Sequence, residues 1–273
     1  MRWGTRIIGA ALVASVGWGA LAAPVPAPAS KPAPVPAPAP ASTDNPFGSF
    51  DPYPACVRAI DVNPENAFEL ALTWRDRGGG LPAERCAALA LIALDEPGEA
   101  ATRLDALARR SNAGSLPERA SLLVQSGNAW LLAGEPQTAE SAFSAALKLT
   151  PRDPETWVDR ARARAALQNW TDAEADLSNA LSFDKSKPET YVLRAAARQV
   201  LGNKAGYRAD ITAALAIDPN FPEALVERGS IRAEDGNLAG ARADWVQVLV
   251  RAPDGPAGDA ARLRIQALEV HDR

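Results

Sequence analysis

Residues 154–187 read PETWVDRARARAALQNWTDAEADLSNALSFDKSK, and residues 188–221 read PETYVLRAAARQVLGNKAGYRADITAALAIDPNF. Laid one above the other, they share an opening Pro-Glu-Thr and an aromatic residue at position 4 (Trp157, Tyr191). They also share arginine at positions 7 and 11 and aspartate at position 23. The ruler is 34 residues long, and a period in that range signals a stacked array of one supersecondary unit. Extended both ways, it gives four units, 120–153, 154–187, 188–221 and 222–255. Pro151, Pro219 and Pro253 fall on position 32, and Lys185 takes the remaining mark.

The other columns give the unit its shape. Position 4 is Leu123, Trp157, Tyr191, Leu225, and position 24 is Phe143, Leu177, Ile211, Trp245. Position 28 is leucine in all four units. Position 8 is small (Gly127, Ala161, Ala195, Gly229), and position 20 is Ala139, Ala173, Tyr207, Ala241. Large residues fill the space between two helices, and small ones let the backbones approach. Glycine at position 15 (Gly134, Gly202, Gly236) ends the first helix in a left-handed conformation. Proline at position 32 stops the second helix. One such hairpin cannot bury its apolar face, so neighbours must stack.

These columns resemble the tetratricopeptide repeat. The resemblance implies an all-α fold, a right-handed α-solenoid of about six helical hairpins with a concave groove. Tyr207 for alanine, Lys185 for proline and Gln168 for glycine depart from the family pattern. Residues 53–119 read as degenerate units. Helical segments are expected at 54–62, 64–77, 81–94 and 98–110, with a break at Gly78-Gly79-Gly80 and a longer loop over 111–117. Residues 256–270 read as a capping helix with Ala260, Leu263 and Ala267 inward and Arg262, Arg264 and Gln266 toward water.

Arginine recurs at position 7 (Arg160, Arg194, Arg228) and position 11 (Arg164, Arg198, Arg232). Position 23 carries Asp176, Asp210 and Asp244 in the same three units. The unit with Ser126 at position 7 has Ala142 at position 23. The two columns appear and vanish together, which predicts ion pairs within each unit. The second arginine column has no such partner column and is expected on a solvated face.

In this repeat family, ligands lie along positions 2, 5, 6, 9, 12 and 13 of the first helices. Carried over, the groove residues are Gln125, Asn128, Glu155, Val158, Asp159, Arg162, Glu189, Val192, Gln199, Val226, Glu227 and Ser230. The family's carboxylate clamp needs lysine at position 5 and asparagine at 9; Asn128 fits, with Val124 where lysine belongs. The later groove reads as acidic (Glu155, Asp159, Glu189, Glu223, Glu227) around an apolar floor of Val158, Val192 and Val226. That suits a partner segment with apolar anchors and basic flanks. The glutamates near helix starts also favour the helix dipole.

Outside the array, Arg2 and Arg6 precede an uncharged apolar run, 7–21, and Ala20-Leu21-Ala22 offers a small-x-small cleavage site. Residues 1–22 read as a secretory signal peptide, with an uncleaved anchor as the alternative. Residues 23–52 form a Pro/Ala-rich linker. Nine of the 24 residues in 23–46 are proline, which favours an extended spacer of up to roughly 75 Å. Export implies an oxidising compartment, and Cys56 and Cys86 lie on first helices of adjacent units, so a disulfide is expected.

The chain has 273 residues, 47% of them apolar, and a net charge of −4. The apolar share opposes wholesale disorder, and the mild acidity opposes nucleic-acid binding. Two cysteines and one histidine make a zinc site improbable. No GxSxG, HExxH, Walker or GxGxxG motif is present. The expectation is a periplasmic, non-enzymatic scaffold or adaptor without cofactor or metal. It would bind a protein or peptide segment. A holdase for secreted or outer-membrane proteins and a cell-wall-associated structural protein are the alternatives.

Overall fold

The computed structural model describes residues 52–110 and 112–271. The expected signal peptide, almost all of the expected Pro/Ala-rich linker and part of the expected 111–117 loop lie outside the described residues. Every regular element among them is helical. Hairpin 1 is α1 (Pro52–Val62) and α2 (Pro64–Trp74), and hairpin 2 is α3 (Gly80–Ala93) and α4 (Pro97–Arg109). Hairpin 3 is α5 (Leu116–Leu132) and α6 (Pro136–Leu149); hairpin 4 is α7 (Pro154–Ala166) and α8 (Trp170–Phe183). Hairpin 5 is α9 (Pro188–Val200) and α10 (Lys204–Ile217); hairpin 6 is α11 (Pro222–Glu234) and α12 (Leu238–Arg251). A final helix, α13 (Pro256–His271), closes the array. The result is a right-handed α-solenoid.

Local chemistry sets the ends. Proline opens α4, α6, α7, α9 and α11, where its missing N–H costs nothing. Asn63, Asn203 and Asn237 cap α2, α10 and α12 by accepting a backbone N–H three residues on. α5 starts four residues ahead of the repeat ruler because Ser115 and Glu118 form a reciprocal capping box. At position 15 of hairpin 4, Gln168 takes the left-handed conformation (φ 61°) that glycine holds in the other three. Between α2 and α3 the Gly78–Gly80 stretch does not open a loop. The chain runs through a π-helical turn, Arg75–Gly79, and kinks at Gly78 (φ 92°).

Inside the hairpins, positions 8 and 24 fit each other. Gly127 faces Phe143 and Gly229 faces Trp245, while Ala161 and Ala195 belong to hairpins with aliphatic Leu177 and Ile211. A Cβ at Gly127 would sit 2.6 Å from the Phe143 ring. Where position 24 is aromatic, position 8 must give up its methyl.

First helices touch the next first helix at α1–α3, α5–α7, α9–α11 and α11–α13, whereas second helices make no comparable contact with one another. The first helices therefore line the inner curve.

Of the expected inward face of α13, only Ala260 packs on the core. Ala257 and Ala261 are buried and Leu268 is half-buried, while Leu263 is 67% exposed and Ala267 is exposed. Counting from Pro256, Leu263 occupies position 8, the place where a small residue admits a second helix. A leucine there ends the stacking pattern. Arg264, expected in water, turns into the groove.

Candidate functional site

The arginine and aspartate columns meet inside each hairpin. Arg160 donates to both carboxylate oxygens of Asp176, Nε at 2.9 Å and Nη2 at 2.8 Å. Arg194 grips Asp210 (3.0 and 2.7 Å) and Arg228 grips Asp244 (3.0 and 2.7 Å) in the same way. All three aspartates are buried. The guanidinium also lies over the position-4 ring, 4.8 Å for Arg160 on Trp157 and 5.8 Å for Arg194 on Tyr191. Where the columns lapse, the Ser126 hydroxyl donates to the Ala101 carbonyl of the preceding hairpin at 2.9 Å.

The second arginine column is not a solvated face. Arg164, Arg198 and Arg232 reach the same aspartates, at 2.9, 2.9 and 2.8 Å. Each buried carboxylate thus serves two arginines. Arg164 and Arg198 also bond a glutamate of the preceding hairpin, Glu140 at 2.9 Å and Glu174 at 2.7 Å. The position-7 arginines reach back as well, Arg160 to the Ser144 hydroxyl (3.0 Å) and Arg194 to Ser178 (3.2 Å). All six arginines are committed to a buried aspartate, and four of them also tie their hairpin to the preceding one, which leaves the columns poorly placed for an anionic ligand.

On the groove side, the structure sorts the expected residues into two groups. Val158, Val192 and Val226 do not form an open floor. They are buried, with Val158 packed near Leu193 and Val192 and Val226 in one core cluster. The reason is that position 5 lies beneath the neighbouring first helix. Asp159 (9% exposed) and Glu227 (7% exposed) are buried too, so they belong to internal polar clusters and not to the binding surface.

In the first cluster, Arg162 donates to Asp159 at 2.7 Å and Asn128 donates to it at 3.4 Å. Burial pushes the Asp159 carboxyl above the usual carboxylate range, and Arg162 opposes this. Nε of Arg162 is buried without a partner. In the second cluster, Glu227 accepts from the Tyr207 hydroxyl at 2.7 Å and pairs with Arg264 at 3.3 Å. Arg264 also donates to Ser230 at 2.8 Å. A third set joins Arg85 of α3 to Gln125 at 2.9 Å and Ser121 at 3.4 Å, with Arg85 5.3 Å over the Tyr53 ring.

What remains open in the groove is its two rims. Glu155, Glu189 and Glu223 recur at position 2 and are all exposed. Glu155 pairs loosely with Lys187 at 3.3 Å. The opposite rim carries exposed Leu132, Gln199, Val200 and Leu201. Between the polar clusters, α9 places the small Ala196 at position 9, where the other hairpins carry Asn128, Arg162 and Ser230, so the groove has no polar side chain at that point.

Arg85, Tyr207 and Arg264 were missed as groove residues. Counting the ruler on from Pro256 puts Arg264 at position 9, beside Asn128 and Arg162, so the signal was present. Among the described residues, no His/Cys/Asp/Glu cluster could hold a metal ion, and no helix is long and apolar enough to cross a membrane. At the other end of the array, Cys56 and Cys86 form a disulfide, with Cα atoms 6.3 Å apart, joining α1 to α3.

A stack of helical hairpins with an open inner face is an interaction scaffold. The tetratricopeptide-repeat family profile matches residues 87–154 and 192–259. The chain belongs to the tetratricopeptide-repeat proteins, which take proteins or peptides and are generally not enzymes. Among solved structures it is similar to MamA (residues 41 to end) from Desulfovibrio magneticus RS-1, at 19% identity and a TM-score of 0.54. That match covers 63% of this chain and 96% of the other. It is also similar to TTC0263, a thermophilic tetratricopeptide-repeat protein of Thermus thermophilus, at 19% identity and a TM-score of 0.51. That match covers 68% of this chain and 97% of the other. At this identity the likeness shows the fold alone. No curated protein matches the chain.

Proposed function

We propose that the protein is an exported adaptor that binds an extended segment of a partner protein along its concave face. The partner segment carries basic residues beside apolar anchors. The observation behind this reading is the pairing of an exposed glutamate rim (Glu155, Glu189, Glu223) with an opposite rim of exposed Leu132, Val200 and Leu201. The repeats' own charges are neutralised internally, so the rim glutamates dominate what a ligand meets in the groove. The Cys56–Cys86 disulfide supports an oxidising compartment such as the periplasm. Together with the signal-like residues 1–22 and the spacer 23–52, it favours a folded array held away from its point of attachment or release.

The test is peptide selection on the purified protein. Enriched peptides should place Lys or Arg beside Val, Leu or Phe. Glu189→Lys combined with Glu223→Lys should weaken the best binder about tenfold, with strong salt dependence. Enrichment without basic residues, or binding indifferent to the double reversal, would contradict the reading.

A further inference from the structure

The junction between hairpins 5 and 6 differs from the two before it in four ways. First, the half-buried inter-repeat lock is replaced by an exposed one of opposite polarity. Position 21 supplies Glu140 and Glu174 to the next hairpin's arginine, but in hairpin 5 it is Arg208. Arg208 instead makes exposed pairs with Asp235 at 2.7 Å and Glu234 at 3.7 Å. Second, position 25 is Thr212 in place of Ser144 and Ser178, and its hydroxyl turns to its own helix, to the Arg208 carbonyl at 2.9 Å.

Third, the arginines of hairpin 6 are less covered. Arg228 and Arg232 side chains are 33% and 35% exposed, against 14–18% for Arg160, Arg164, Arg194 and Arg198. Fourth, Tyr207 stands at position 20, where the other hairpins have alanine, and its hydroxyl reaches Glu227 on α11. A ring in the place of a methyl keeps the two backbones apart. Consistently, the backbones of α10 and α11 approach each other least closely among consecutive α-helices, while α9 and α11 still touch on the inner side.

We infer that this junction is a hinge, pivoting on the α9–α11 contact and on the Tyr207 ring that spaces α10 from α11. Few close backbone contacts and exposed ion pairs mark a junction that bends at small cost. Loss of the Glu and Ser bonds removes the geometry that fixes the angle at the earlier junctions. The spacing of α10 from α11 sets how tightly the groove curves between Gln199 and Glu223. The hinge belongs to the free protein and needs no ligand.

Spin labels at position 22 of successive hairpins test it directly. Ala175, Ala209 and Ala243 are exposed equivalents on α8, α10 and α12, and the native cysteines are held in their disulfide. Labels at Ala209→Cys and Ala243→Cys should give a distance distribution about twice as broad as labels at Ala175→Cys and Ala209→Cys. Copying the preceding junction (Arg208→Glu, Thr212→Ser, Glu234→Val, Asp235→Leu) should narrow the 209/243 distribution to the width of 175/209. Equal widths in the otherwise unaltered protein overturn the hinge, whether or not the copied variant folds. So does a 209/243 width that a folded copied variant leaves unchanged.

Discussion

Asp210 shows how a single buried carboxylate can hold two hairpins. It takes both donors of Arg194 and one of Arg198, and Arg198 in turn bonds Glu174 of the hairpin before. A buried pair of this kind adds little net stability over apolar packing, because desolvation offsets attraction. Breaking it is another matter, since two arginines lose their partner. Asp210→Ala should cost about 3–5 kcal/mol in chemical denaturation. Asp172→Ala, on an exposed residue of α8, should stay within about 0.5 kcal/mol. Equal losses would remove the paired carboxylate from the account. The first arginine column was legible because its partner sits in the same unit. The second was not, because it shares the aspartate already assigned to the first, and its other partners, Glu140 and Glu174, lie in the preceding unit in a column that turns to arginine at Arg208 and Arg242.

At the scale of the helix, the sizes at positions 8 and 24 are the clearest device. A methyl at Gly229 would run into the Trp245 indole, whose N–H donates to the Val226 carbonyl at 3.0 Å. Gly229→Ala should destabilise by about 1–3 kcal/mol through overpacking. Adding Trp245→Leu should recover part of that loss, as hairpin 4 already pairs Ala161 with Leu177. If the two changes simply add, the steric explanation fails.

The helices themselves were readable from spacing, small residues and prolines. Which face each helix presents was less so. Ala260, Leu263 and Ala267 form as good an apolar stripe as Ala257, Ala261 and Leu268, and only the partner helices choose between them. The valines at position 5 were misplaced for the same reason, since a first helix is covered by its successor as well as by its own second helix.

For the whole molecule, the two ends are secured differently. The last hairpin is covered by α13, and Arg264 joins the groove's internal polar network there. The first two hairpins are tied by the Cys56–Cys86 bridge across 30 residues of sequence. Loop closure of that length is worth about 3–4 kcal/mol. Reduction should therefore raise hydrogen exchange in α1 to α3 and leave α7 to α12 unchanged; a uniform rise along the array would contradict a local staple. The inner curve, with its exposed glutamate rim facing Val200 and Leu201, is the surface we propose to take the partner. That is the central claim, and crosslinking from the groove tests it most directly. A photocrosslinking residue replaces Gln199 in the groove or, as control, Ala209 on the outer helix. A single partner, linked through a basic segment and only from Gln199, is the predicted result. Crosslinks of equal yield from Ala209, or none from Gln199, would contradict it.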